Sequence, residues 1–139
     1  MPWWFYAIVS ALAASATAIL AKVGVKDVPS NLATAVRTVV VLLFAWGVVF
    51  ATREHQALRE LSRRSVLFLV LSGVATGFSW IAYFKALQMA PASRVAPIDK
   101  VSLAFTIILA GVLLGEQISW KVGLGTALMV AGALLTISK

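Results

Sequence analysis

Apolar residues run in five long stretches along this chain, each closed by a short polar or turn-forming segment. A helix rises about 1.5 Å per residue, so roughly 20 apolar residues cross about 30 Å of hydrocarbon. Trp3–Ala21, Leu32–Ala51, Val66–Leu87, Pro91–Gly115 and Ser119–Ser138 reach that length. The pattern predicts an all-α fold, an integral membrane bundle of five transmembrane helices, with residues 1–139 forming one domain. The connections are short, around 22–31, 52–65, 88–90 and 116–118. "AASATA" has the small residues of a cleavage site, but no Lys or Arg precedes the first apolar run. A retained first helix is therefore expected, anchored at the interface by Trp3, Trp4 and Tyr6, with Trp120 anchoring the last. In the charged loop "TREHQALRELSRRS", Glu60 and Arg64 stand four apart, which predicts a helical turn or two along the membrane surface.

Within the spans the polar and small positions fall in stripes at 100° per residue. Ser10, Ala14, Thr17 and Ala21 share a face of the first helix. Asn31, Thr34 and Thr38 share one on the second, beside Arg37. Ser72, Thr76, Ser79 and Tyr83, flanked by Trp80, line the third, and Asp99, Ser102 and Thr106 line the fourth. Polar stripes avoid lipid and face protein or water, as in a central cavity. Small residues also let helices approach closely, and Gly73 with Gly77 fits that reading. On the last helix Gly123, Ala127 and Ala131 form one small face, with Gly125 and Gly132 opposite. Two such faces suggest two neighbours, one of them in a second subunit.

Composition agrees with the pattern: 61% hydrophobic, 12% charged, mean hydropathy +0.96. The formal charge of +7 is expected beside anionic lipid headgroups rather than nucleic acid. There is no cysteine, and the single histidine, His55, lies in the charged loop. No nucleophile–base pair and no metal-ligand set follow, so neither an enzyme nor a cofactor is expected.

The chemistry is concentrated in charges within or at the edges of spans: Arg37, Lys85, Arg94, Asp99 and Lys100. If every span crosses once, all five lie on one membrane side. Counted from Leu32 and Pro91, Arg37 and Asp99 lie roughly 8 and 12 Å along their axes, a spacing that suits one wet vestibule. Asp99 is the acidic residue within a span; at mid-bilayer such a charge costs about 3 kcal/mol, so pairing or hydration is expected. Lys100, Arg94 and Arg37 are the available partners. A structural ion pair and a pathway residue both remain open for Asp99. Lys85 reads as a snorkelling side chain. Pro97 has no N–H for the Ser93 carbonyl, so a kink is expected there. A broken helix with a polar start is one way to build a transport site.

"YFKALQMAPASRVAPIDKVS", "LLGEQIS", "NLATAVRTVVVLLFAW" and the Gly/Ala-rich final helix resemble the EamA-like branch of the drug/metabolite transporter superfamily, particularly its short five-helix members. The resemblance covers essentially the whole chain, and "SRVAPIDK" is its most specific part. It implies a carrier of small metabolites or drug-like solutes whose first four helices line the pathway. Longer relatives join two five-helix repeats. A remoter resemblance, to the four-helix small multidrug-resistance exporters, implies an essential glutamate in helix one. Helix one here has no acidic residue, so that proton-coupled mechanism does not carry over.

Alternating access needs two repeats around a central site, so one repeat must find another by association. Two copies reproduce an inverted pair only by inserting in opposite orientations. One side carries five basic residues, Arg53, Arg59, Arg63, Arg64 and Lys121. The other carries seven, Lys22, Lys26, Arg37, Lys85, Arg94, Lys100 and Lys139, or three without those in spans. The bias changes sign with the counting, which favours dual orientation and an antiparallel homodimer. The alternatives are a non-transporting scaffold or accessory subunit, and one half of a heterodimeric transporter. The expected setting is a bacterial or archaeal cell membrane, with a lipid bilayer, a small-molecule substrate and a second copy as partners.

Overall fold

The computed structural model describes residues 2–137. Among them are six α-helices: α1 Trp3–Gly24, α2 Ser30–Ala51, α3 Arg63–Met89, α4 Ala92–Asp99, α5 Ser102–Leu114 and α6 Trp120–Leu135. A 3-10 helix, Glu54–Glu60, joins α2 to α3, and no strand occurs among the described residues. Four stretches are long and apolar enough to cross a membrane: α1, α2, α3 and the run Ala92–Leu114 that contains α4 and α5. The last apolar helix is shorter than its predicted span; its 16 residues measure roughly 24 Å. The expected end at Ser138 lies outside the described residues.

Prolines and hydroxyl caps set the helix boundaries. Pro2, Pro29 and Pro91 each stand immediately before a helix, where a missing N–H costs nothing. Each supplies a carbonyl to the first turn: Phe5 N–H donates to Pro2 at 3.1 Å, Ala33 to Pro29 at 2.9 Å, and Val95 to Pro91 at 3.1 Å. Ser62 caps α3 by accepting from the Ser65 N–H at 3.0 Å, so α3 begins at Arg63, three residues before the predicted Val66. Ser119 caps α6 more loosely, accepting from Val122 N–H at 3.4 Å. Gly115 closes α5 at φ +69°, and its N–H and that of Glu116 both donate to the Ala110 carbonyl. That left-handed backbone suits glycine because it carries no Cβ.

The loop after α2 differs from its predicted form. Its turns are 3-10 and end at Glu60, whereas Arg64 already belongs to α3, so the two do not share a helix face. The Arg64 guanidinium instead lies 5.9 Å from the Phe68 ring centroid. His55 leans on Phe50, with ring centroids 5.4 Å apart.

The chain divides into two compact units, Val23–Gln88 and the segments on either side of it. Within Val23–Gln88, Val25, Phe84 and Leu87 are buried, and the Gln88 side chain donates to the carbonyls of Val25 (3.1 Å) and Val28 (2.6 Å). In the other unit α6 packs on α4 and α5, Val95 and Ala133 are buried, and Lys22 Nζ donates to the Ala90 carbonyl at 2.9 Å. Most large apolar side chains stay exposed, among them Leu43, Phe44, Phe78 and Val112. Apolar exposure on this scale along four long helices suits hydrocarbon as the solvent. The chain is a multi-pass membrane protein.

Candidate functional site

The predicted pathway residues fall in both units, and each unit carries a charged position inside a membrane helix. In Val23–Gln88 that position is Arg37, seven residues into α2 and roughly 10 Å along its axis. Its guanidinium carbon lies 4.0 Å from the centroid of the Trp80 ring and 5.4 Å from that of Phe84. Trp80 and Phe84 are four apart on α3, so one helix face presents both rings. Tyr83 lies within electrostatic reach of Arg37, and its ring centroid is 6.5 Å from that of Phe84. The geometry is a cation on aromatic faces, worth about 0.5–2 kcal/mol. That offsets only part of the roughly 3 kcal/mol that an arginine costs at mid-bilayer.

In the other unit the position is Asp99, last residue of α4. Of the partners considered, Lys100 makes the contact, its Nζ 3.4 Å from the Asp99 carboxylate. Both side chains stay accessible, 56% for Lys100 and 39% for Asp99, so this is an open pair rather than a buried one. Arg94 is exposed on the first turn of α4. The helix break follows Pro97 directly. Lys100 N–H donates to Pro97 (3.1 Å) and Val101 to Ile98 (2.9 Å), while Leu103 and Ala104 donate to Lys100 and Val101, both at 3.0 Å. The ladder thus tightens from i−4 to i−3 bonding through the turn that separates α4 from α5. Pro97 removes a rung, and the adjoining turn holds Asp99 between two helix ends.

Four hydroxyls of the polar stripes prove to be satisfied by their own helices. Thr34 donates to the Ser30 carbonyl (2.9 Å), Thr38 to Thr34 (2.8 Å), Thr76 to Ser72 (2.9 Å) and Thr106 to Ser102 (3.0 Å). These protons are committed to the backbone, although the oxygens can still accept. Of the small residues, Gly123, Ala127 and Ala131 line an open groove of about 730 Å³ between α5 and α6, with Gly111 on its opposite wall. A Cβ at Gly73, Gly77, Gly123, Gly125 or Gly132 would meet nothing within 4 Å.

Sequence reasoning missed Phe84 and the Gln88 clasp. The i,i+4 spacing of Phe84 from Trp80 was a usable signal. The clasp had none, because a glutamine bridging to carbonyls some 60 positions away leaves no local pattern.

The pattern that defines the EamA-like transporter family matches residues 1–138. The chain belongs to that family. A relative from Sinorhizobium sp., described as an uncharacterized transporter in the cobO 3′ region, is 47% identical over 133 residues. The match covers 96% of this chain and 94% of that protein. No solved structure matches significantly. For this EamA-like chain, the "YFKALQMAPASRVAPIDKVS" segment that carries the resemblance runs from the end of α3 through the whole of α4 to the start of α5.

Proposed function

We propose that this chain is a half-transporter. Two copies, inserted in opposite orientations, form an antiparallel homodimer of five-span repeats in a bacterial or archaeal cell membrane. The dimer carries small metabolites or drug-like solutes by alternating access. Asp99, Lys100, Arg94, Ser102, Thr106, Arg37, Trp80 and Tyr83 are the pathway residues of this reading. The observation that carries this reading is the interrupted helix at Pro97–Val101, with an accessible carboxylate at the break, in a chain whose family transports. The open apolar groove between α5 and α6, with its small-residue wall, supports association with a second copy.

Orientation is the deciding experiment. Gln56 is exposed in the 3-10 helix, and a single cysteine there, in a chain otherwise without any, reports which side the loop faces. Labelling of intact cells by an impermeant thiol reagent is expected to reach about half of the fraction labelled after permeabilisation. Labelling confined to permeabilised cells would place the loop wholly inside and end the homodimer reading in favour of an oppositely oriented partner protein. Absence of flux for any solute from the purified protein would favour a scaffold.

A further inference from the structure

Arg37 differs from the other in-span cations in having a built surround without a counter-charge. Its guanidinium rests against Trp80 and Phe84, and the Tyr83 ring adjoins Phe84 with centroids 6.5 Å apart. Among the described residues, the ion pair formed is Lys100–Asp99, and no carboxylate or carbonyl accepts from Arg37. The side chain is half-buried, so its nitrogens remain approachable. Aromatic faces stabilise the charge of a guanidinium but accept little from its N–H edge. Five donors in a rigid planar fork therefore stay unused within a membrane helix. Water, or an oxyanion matching the fork in bidentate fashion, would satisfy them.

The charge inventory points the same way. Within Val23–Gln88, Arg37 and Lys85 lie in the spans, and no carboxylate does. That balance repels a cationic cargo and suits an anionic one. We propose that Arg37, Trp80, Tyr83 and Phe84 form a binding site for a small organic oxyanion, carboxylate or phosphate, with the guanidinium edge as the recognition element. The proposal deepens the transporter reading and rests on it only for carriage of the anion, not for its binding. A lipid phosphate offers the same oxyanion chemistry, so the test must separate the two sources.

Benzoate and benzamide differ mainly in charge, and both bring a ring suited to an aromatic wall. Equilibrium binding of each is measured on the full-length protein in phosphatidylcholine vesicles. Benzoate is expected to bind at least about tenfold more tightly than benzamide. Arg37→Gln should abolish that preference. Arg37→Lys, which keeps the charge without the fork, should reduce it about threefold or more. Trp80→Leu, a second variant that leaves Arg37 in place, should weaken benzoate by about threefold or more through loss of the aromatic face. Replacing half of the lipid by phosphatidylglycerol, in high salt that screens the surface charge, should change benzoate affinity by less than about twofold. Equal binding of the two probes, a preference that survives in Arg37→Gln, or benzoate affinity unchanged in Trp80→Leu overturns the proposal. So does loss of the preference in phosphatidylglycerol together with retention of that lipid by wild type but not by Arg37→Gln, which assigns the fork to a headgroup. Flux of some solute without any benzoate preference sinks the anion site and leaves the transporter reading standing. Benzoate preference with no flux of any solute does the reverse.

Discussion

Arg37 and Asp99 are both charges placed about two turns into membrane helices, and the chain accommodates them by opposite means. In Val23–Gln88 the helices stay regular, and a long arginine side chain reaches the aromatic rings of the next helix. In the other unit the aspartate is too short to reach far, so the backbone changes. Pro97 loosens the ladder, the following turn tightens to 3-10 bonding, and the neighbouring lysine supplies the contact. A delocalised cation can be held by side chains alone. A carboxylate in hydrocarbon needs donors or water, and a helix interruption gives access to both. The first arrangement is a side-chain cradle; the second is a helix interruption.

The sharpest way to break this contrast is Asp99→Asn, predicted to cut solute flux in reconstituted vesicles by about tenfold or more, comparable with losing one transition-state contact. Membrane insertion should be unaffected. Wild-type flux from the variant would reduce the Asp99–Lys100 pair to a structural feature.

Next comes Pro97→Ala, which restores an N–H for the Ser93 carbonyl. Stability in detergent is expected to rise by about 1–3 kcal/mol while flux falls several-fold. A variant that is neither more stable nor slower would show that the interruption at Lys100–Val101 does not depend on the proline.

The cradle is tested by a double-mutant cycle between Arg37→Met and Trp80→Leu, read by unfolding in mixed micelles. A coupling of about 1 kcal/mol is expected from the 4.0 Å contact. Coupling indistinguishable from zero would mean that the rings merely neighbour the arginine.

The smallest effects serve as controls outside both sites. Gly115→Ala forces a Cβ onto a φ of +69° and should cost about 1 kcal/mol. Ser119→Ala, losing a long cap at 3.4 Å, should cost about 0.5 kcal/mol. Flux per folded molecule should be unchanged in both, and a drop would implicate the α5–α6 turn in transport.

The apolar runs, the four prolines and the residues of the resemblance determined by themselves that this is a multi-pass helical membrane protein of the EamA-like family, because span length and helix-start chemistry are local properties. The kink at Pro97 was legible for the same reason. Boundaries slipped at α3, where the Ser62 cap draws Arg63 and Arg64 into the helix, and at the last helix, which is shorter than its apolar run. The threonine stripes were visible, but their back-bonding was not, since a hydroxyl can share the i−4 carbonyl with the backbone N–H only in a formed helix. Only the tertiary structure decided that Lys100 rather than Arg94 contacts Asp99, that Arg37 lies on Trp80 and Phe84, and that Gln88 holds the carbonyls of Val25 and Val28. The last two depend on groups more than 40 positions apart being brought within about 5.4 Å or less, and the first on which rotamer and backbone turn place a short carboxylate within reach. No periodicity along the chain encodes either.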